Sequence, residues 1–187
     1  WVAKKLKLTL PPPVTPAASL EITALGDVDA DIVEYTLGNS SPAVGRRLAQ
    51  LALPESAVMA MITRNNKVIA PRGSTLLQAQ DQIFIVLKPI TRAFVDFVFS
   101  GKIDNEKDGL PSRELTVKGN TSISDIAHSY GIDIEGEGES TLEHVIKSRL
   151  TVTPSINEVI RVGNINLCVR EMVGDRIITV GLTVEHI

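Results

Sequence analysis

The chain has 187 residues, a formal net charge of -3 and a slightly positive mean hydropathy of +0.13. This length fits one ordinary domain or two small ones. A sequence pI near 5.6 gives no overall basic field, so nucleic acid is disfavoured as a partner. The single cysteine, Cys168, excludes both a disulfide framework and a multi-cysteine metal site and fits a reducing, cytosolic compartment.

The first residues predict a linker. Trp1 is closely followed by three lysines, which is typical of the point where a membrane span leaves the bilayer on the cytoplasmic side; an arbitrary basic start explains the pattern equally well. The prolines within Pro11–Pro16 predict a semi-rigid spacer over residues 1–18, with a disordered tail as the alternative. Residues 20–25 predict an edge strand. No apolar run reaches the roughly 18 residues that span a bilayer, and there is no secretory signal.

The stretch from Asp31 to Leu87 predicts a strand, a short helix, a strand, a hairpin and a final strand. Apolar residues alternate in the strands and recur at helical spacing in the helix, with turn residues between them. The strands are predicted at 33–37, 57–63, 68–69 and 83–87, the helix at 44–51, and the turns at 38–42 and 65–66.

This stretch resembles the TrkA C-terminal domain, also known as the C-terminal subdomain of the regulator-of-potassium-conductance family. The matching pieces are the segment SSPAVGRRLAQLALP at residues 40–54, then Arg64, the run Pro71–Leu76 and Asp81. The family usually has glycine before that aspartate, where this chain has Gln80. The resemblance implies a β-α-β-β-β domain over residues 19–90 that forms a homodimer and holds nucleotides or ions near the cleft between subunits.

A ligand site is predicted at the start of the short helix. The segment Gly38–Gly45 offers backbone amides and hydroxyls at a helix start, and Arg46 and Arg47 follow, which suits an anion or a nucleotide phosphate. The alternative is that these residues only shape turns and that the arginines are solvated. Glycine-rich dinucleotide and phosphate-loop patterns are absent from the sequence, which disfavours a Rossmann or nucleoside-triphosphatase site. The resemblance implies ligand contacts from Ser40, Ser41, Arg46, Arg64, Asn65, Pro71, Arg72 and Gly73, with an adenine nucleotide such as AMP or ATP as the candidate ligand.

Residues 91–112 are interpreted as a connector between two domains. Three of the four phenylalanines lie in Phe94–Phe99, so this segment is predicted to be buried between the domains or in a subunit contact, as a helix or a strand. Residues 102–112 are polar and contain turn residues.

Residues 113–187 predict a second small domain with a strand, two helices and an antiparallel β-meander. Ser122 is expected to cap the first helix, which ends at Gly131, and a capping box formed by Ser140 and Glu143 is expected to begin the second helix. The remaining strands are predicted at 158–162, 165–173 and 176–184, joined by type II′ turns at Gly163–Asn164 and Gly174–Asp175.

This second domain resembles the CorC/HlyC transporter-associated domain. The resemblance rests on Thr141–Leu142, Pro154, Glu158–Gly163, the alternating run Leu167–Met172 and Arg176–Ile177. The family's usual Leu-Gly-Arg-Ile-Pro is matched only at its ends, by residues 150–154. The predicted fold class is therefore α+β with two small mixed domains.

The order of the two domains resembles the cytoplasmic tail of a cell-volume-regulation type of monovalent cation/proton antiporter. That resemblance implies a regulatory region on the cytoplasmic side of the inner membrane, linked to an upstream transmembrane exchanger of potassium or sodium. The alternative is a docking platform for a cytosolic regulatory protein, with Phe94–Phe99 or an acidic loop as its contact.

The sequence predicts neither catalysis nor a metal site. His128, His144 and His186 are scattered, and Cys168 has no histidine at a motif distance, so no nucleophile and base pair is apparent. The acidic loop at residues 133–139 alternates carboxylates with glycine and could bind a hard cation, but it lacks the EF-hand pattern, and a solvated loop is the preferred interpretation.

Overall fold

The computed structural model of the chain describes residues 18–22, 29–101, 114–132, 134 and 138–184, with only the backbone described for 18–22. Most of the predicted linker, the polar connector and most of the acidic loop at 133–139 lie outside these residues. Within the described ranges no helix has the length and apolar character needed to cross a bilayer.

The first domain is built on a five-stranded antiparallel sheet. The strands are β1 (Ala18–Ile22), β2 (Asp31–Thr36), β3 (Ala57–Arg64), β4 (Lys67–Ile69) and β5 (Gln82–Leu87), in the order β1-β2-β5-β3-β4. β1 lies at one edge, as predicted, but spans Ala18–Ile22 where the sequence predicts residues 20–25, and residues 23–25 lie outside the described part of the chain. The alternation in β2 buries Val33 and Tyr35. The Asn65–Asn66 turn between β3 and β4 has positive φ at both residues, 50° and 61°, as a type I′ hairpin requires.

The short helix predicted over residues 44–51 is instead a series of turns with a single 3-10 turn at Leu48–Gln50. The reason is a long-range pairing. The amides of Leu48 and Ala49 donate to the carbonyls of Thr75 and Gly73, and Arg47 forms an antiparallel bridge with Leu76. Because these amides bond to a distant segment, they are not available for the i to i-4 bonds of an α-helix.

Helix α1 (Arg92–Ser100) follows β5 and lies between the two domains. Its apolar face buries Phe94, Val95, Val98 and Phe99, which recur at helical spacing. The ring of Phe99 packs 5.1 Å from Tyr35 in the first domain, and the ring of Phe94 lies 6.1 Å from Tyr130 in the second, centroid to centroid. The prediction that this segment is buried between the domains is confirmed.

The second domain is a four-stranded antiparallel sheet with two helices. Its elements are β6 (Leu115–Lys118), α2 (Ile123–Tyr130), α3 (Leu142–Arg149), β7 (Val159–Val162), β8 (Ile165–Val173) and β9 (Arg176–Val184), and the sheet order is β6-β9-β8-β7. In both two-residue hairpin turns positive φ falls on the glycine, at 61° for Gly163 and 58° for Gly174, as type II′ turns require. The α+β class with two small domains is confirmed.

The two helices of this domain begin at hydroxyl caps. The side chain of Ser122 accepts a hydrogen bond from the amide of Asp125, and α2 ends at Gly131, both as predicted. For α3 the predicted capping box is wrong by one residue, because Thr141 rather than Ser140 accepts from the amide of His144.

Buried residues of both domains form one continuous apolar cluster.

Candidate ligand site and domain interface

The loop between β2 and β3, residues 37–56, carries three of the predicted ligand residues and is here called the β2–β3 loop. Several of its amides are already bonded and the predicted helix start is a series of turns, which weakens the argument from a helix start. Within the loop, the amides of Ser41, Ala43, Val44 and Arg46 donate to Gly38 O, Ser41 Oγ, Ser41 O and Ala43 O. An anion contact at the bonded residues, including Arg46, would therefore rest on side chains.

Ser41 fastens this loop to α1. Its hydroxyl is buried and donates a 2.5 Å hydrogen bond to the carbonyl of Phe99. Ser40, its neighbour, is exposed to solvent. Of these two predicted contacts, only Ser40 has a side chain that a ligand could reach without breaking a buried bond.

Arg64 pairs with a fully buried carboxylate. Its Nε and Nη2 donate to the two oxygens of Asp81 over 2.7 and 2.8 Å, and Nη2 also donates to the carbonyl of Leu76. The hydrogen bonds that Arg64 donates to Asp81 raise the pKa of its guanidinium. Asp81 additionally accepts from the amide of Gln78 over 2.9 Å. The arginine and the aspartate of the motif thus hold β3, β5 and the segment before β5 together.

Arg46 reaches across to the second domain. Its Nη2 donates to Asp125 Oδ1 over 2.5 Å and to the carbonyl of Gln50 over 3.1 Å. Both side chains of the ion pair are largely buried. The Nε of Arg46 is buried and has no hydrogen-bond partner among the residues that the structure describes.

The remaining predicted ligand residues lie on turns. Asn65 is exposed in the β3–β4 turn, while Arg72 and Gly73 are exposed and Pro71 is half-buried. The amide of Arg72 donates to Thr75 Oγ1, and the carbonyl of Gly73 accepts from Ala49. Because segment 73–77 pairs with segment 45–49, the structure places Arg72 and Gly73 beside the β2–β3 loop that carries Arg46.

Sequence reasoning missed the contacts that join the domains. Ala52, in the β2–β3 loop, donates its amide to Ser129 Oγ over 3.3 Å and accepts from the hydroxyl of Tyr130 over 2.5 Å. The amide of Glu55 donates to the carbonyl of Thr116. The one available signal was Tyr130, since a hydroxyl on the apolar face of a helix needs a buried acceptor. Its partner is a backbone carbonyl, for which no sequence pattern exists.

Two further contacts extend this interface. The carboxylate of Glu55 accepts a 2.8 Å hydrogen bond from Thr179 Oγ1 in β9. The ring Nε2 of His128 lies 3.3 Å from the carbonyl oxygen of Pro42. The β2–β3 loop therefore contacts α2 and both β6 and β9 of the second domain. Across the part of the chain that the structure describes, no group of three or more His, Cys, Asp or Glu side chains is placed to hold a metal ion.

Two known domains match this chain. The TrkA-C domain matches residues 32–90, and the transporter associated domain of the CorC/HlyC type matches residues 109–186. These are the two stretches in which the sequence motifs lie.

Three relatives cover different shares of the chain. A K(+)/H(+) antiporter NhaP2 of Shewanella baltica is 22% identical over 187 residues, which is 98% of this chain and 32% of the antiporter. A Trk system potassium uptake protein TrkA homolog of Archaeoglobus fulgidus is 30% identical over 130 residues, 70% of this chain and 27% of the relative. A second TrkA homolog, from Methanosarcina mazei, is 32% identical over 84 residues, 45% of this chain and 18% of the relative.

The chain spans about a third of the length of the antiporter that it matches almost throughout. Both domain matches agree with the two folded units and with the motifs from which each was predicted. The chain therefore carries a TrkA-C domain followed by a transporter-associated domain of the CorC/HlyC type.

Proposed function

We propose that this chain is the regulatory region of a monovalent cation/proton antiporter, on the cytoplasmic side of the membrane. The proposal is supported by the similarity over 98% of the chain to a protein named as a K(+)/H(+) antiporter. The linked transmembrane exchanger would move potassium or sodium against protons, and the two domains described here would bias it without catalysing a reaction.

The observation that carries the proposal is the double role of the β2–β3 loop. It bears Ser40, Ser41 and Arg46, and it also makes the hydrogen bonds to the second domain through Ala52 and Glu55. A ligand that binds this loop in one arrangement of the domains more tightly than in another shifts the balance between them. That is the physical requirement for a regulatory region.

The proposed ligand is an adenine nucleotide held by a homodimer. Arg72 and Asn65 are exposed and are free of the buried contacts that occupy Arg64 and Ser41. We therefore assign direct phosphate and base contacts to Arg72, Asn65, Ser40 and Gly73, and a supporting role to Arg64 and Ser41. A guanidinium on an exposed turn can form charge-assisted bonds to a phosphate.

Calorimetric titration of the chain with AMP, ADP and ATP tests the ligand. Heat and a thermal shift with at least one nucleotide are expected; no response to any of them contradicts nucleotide binding. Sedimentation of the same samples tests the homodimer, since a monomer at all concentrations contradicts it.

Ion exchange in everted membrane vesicles tests the antiporter. In vesicles that contain the longer protein, potassium or sodium should dissipate an imposed proton gradient. Deletion of the region described here from the longer protein should change the rate of cation/proton exchange and abolish any response of that rate to nucleotide. Vesicles in which neither cation moves protons would contradict the proposal.

The docking-platform alternative loses one of its two candidate contacts. Phe94 and Phe99 are each 3% exposed, so their segment is a core helix and not a free surface. The other candidate, the acidic loop at 133–139, lies mostly outside the described residues. Pull-down from lysate with and without residues 133–139 tests that loop directly.

A further inference from the structure

Arg64 and Arg170 each form a complete, side-on pair with a carboxylate. Arg64 uses Nε and Nη2 on Asp81, with distances of 2.7 and 2.8 Å. Arg170 uses the same two nitrogens on Glu114, with distances of 2.8 and 2.5 Å. In this geometry each carboxylate oxygen receives one N–H group, which is the strongest arrangement of the two ions.

Arg46 makes only half of such a pair. Nη2 alone reaches Asp125, over 2.5 Å, while Nε is buried and has no partner within the described part of the chain. A buried donor without an acceptor is unfavourable, because it has lost water and gained nothing in exchange. The contact between the domains therefore leaves the guanidinium with an unused hydrogen-bonding edge.

The position of α2 accounts for the incomplete pair. Asp125 lies in the first turn of α2, and the last turn is fastened to the β2–β3 loop by the bonds of Ser129 and Tyr130 to Ala52. These bonds and the aromatic contact of Tyr130 with α1 fix the helix as a whole. The position of α2 therefore fixes the Asp125 carboxylate, which reaches only Nη2 of Arg46.

We propose that Arg46 is shared between the second domain and an oxyanion, and that the two exclude each other. A phosphate group that binds side-on through Nε and Nη2 would satisfy the unused donor and displace Asp125. Because Nε is buried and Nη2 is held by Asp125, the proposal requires α2 to move away before the oxyanion binds both nitrogens. The inference rests on the proposed function for its ligand class, a phosphate, and adds that binding loosens the contact between the domains.

Reciprocity makes this inference measurable. If an oxyanion bound at Arg46 weakens docking of α2, then docking of α2 must weaken binding of the oxyanion by the same factor. Removal of the Asp125 charge should then tighten oxyanion binding. The interaction energy of a partly buried ion pair with a single contact corresponds to about a fivefold change in affinity.

Hydrogen exchange of α2, read by mass spectrometry, tests this on the whole chain. Inorganic phosphate and ATP are used as separate probes, because either could be the source of the oxyanion. In the unaltered chain, phosphate or ATP should speed exchange in the peptide that spans residues 123–131. In Asp125→Asn the same peptide should exchange faster without ligand, and phosphate or ATP should bind about fivefold more tightly.

Two control variants test whether the effect is specific to the Arg46–Asp125 pair. Glu143→Gln removes the corresponding first-turn carboxylate of α3, which bonds to Lys147 and Ile177 within its own domain, and should leave oxyanion affinity unchanged. Arg46→Gln should abolish the effect of the oxyanion on α2. The titration of the unaltered chain needs no variant to fold.

Equal affinity in the unaltered chain and in Asp125→Asn would overturn the inference, as would binding of either probe with no change in exchange of α2. Such a result leaves nucleotide binding at Arg72 intact. Conversely, a chain that opens α2 with inorganic phosphate but ignores every nucleotide supports the inference and contradicts the proposed nucleotide ligand.

Discussion

The hydroxyl of Tyr130 donates a 2.5 Å hydrogen bond to the backbone carbonyl of Ala52, 78 residues earlier in the chain. The tyrosine belongs to α2 of the transporter-associated domain, and the alanine belongs to the β2–β3 loop of the TrkA-C domain. The same ring packs on Phe94 and Phe97 of α1. One side chain thus joins three elements, and the contact between the domains depends strongly on it.

Tyr130→Phe should destabilise the chain by about 1–2 kcal/mol, because it leaves the carbonyl of Ala52 buried without a donor while the ring packing is kept. Urea unfolding measures the loss. Tyr35→Phe is the matched control, since it removes a hydroxyl that donates to Asp96 and so joins β2 to α1 without contacting the second domain through this bond. Only Tyr130→Phe should also speed hydrogen exchange in α2, and equal exchange in both variants would contradict this role.

Burial of Tyr130 also predicts a dependence of stability on alkaline pH. Loss of solvation raises the pKa of its phenol above the ordinary value of 10.0. The folded chain therefore keeps the proton while the unfolded chain releases it near pH 10, so the free energy of unfolding falls as pH rises above about 10. Unfolding titrations at pH 8 to 11 should show a smaller decline in Tyr130→Phe; identical declines would exclude this tyrosine as the cause.

Glu143 predicts that the free energy of unfolding falls as pH decreases on the acid side. The hydrogen bond from Lys147, the amide of Ile177 and the charge of Arg176 together hold the pKa of Glu143 below its ordinary value of 4.5. Its contribution to stability is present above the unfolded pKa and is lost as pH falls through the folded pKa. Glu143→Gln should therefore lower stability at pH 7 and flatten the decline below pH 4.5. A variant that loses as much stability at pH 3 as at pH 7 would refute the assignment.

Arg64→Ala should be the most damaging of these substitutions, with a loss of roughly 3–5 kcal/mol, because it leaves the buried carboxylate of Asp81 unpaired. Arg72→Ala is the matched control. Arg72 is exposed, so its replacement should change the free energy of unfolding by less than about 0.5 kcal/mol. Thermal and urea unfolding compare the two, and similar losses would show that the motif arginine has no special structural role.

The elements that could be predicted from sequence are those fixed by their own residues. The limits of β8 and β9 follow from the Gly163–Asn164 and Gly174–Asp175 turns, whose backbone angles suit glycine at the first position. The same holds for α2, where Ser122 is the N-cap and Gly131 ends the helix. In each case the deciding interaction lies within a few residues of the boundary.

The parts that could not be predicted depend on distant partners. Val44, Leu48 and Leu51 have helical spacing, yet the amides near them bond to segment 73–77, and no local pattern reveals that competition. In the candidate site, residue types indicated where arginines and turns lie but not what they contact. Arg64 and Arg46 both meet carboxylates, one of them in the other domain.

Arg72→Gln is expected to reduce the affinity for adenine nucleotide about tenfold without changing the stability of the fold. The guanidinium is exposed, and the turn beneath it is held by backbone bonds that the substitution keeps, from the amide of Arg72 to Thr75 and from Ala49 to the carbonyl of Gly73. Loss of one charge-assisted hydrogen bond to a phosphate corresponds to this change in affinity. Arg149→Gln, at the end of α3, removes the same charge elsewhere and controls for the overall electrostatic attraction. If calorimetry shows the same affinity in both variants, the phosphate lies away from this turn, and the ligand contacts must be sought at Arg46.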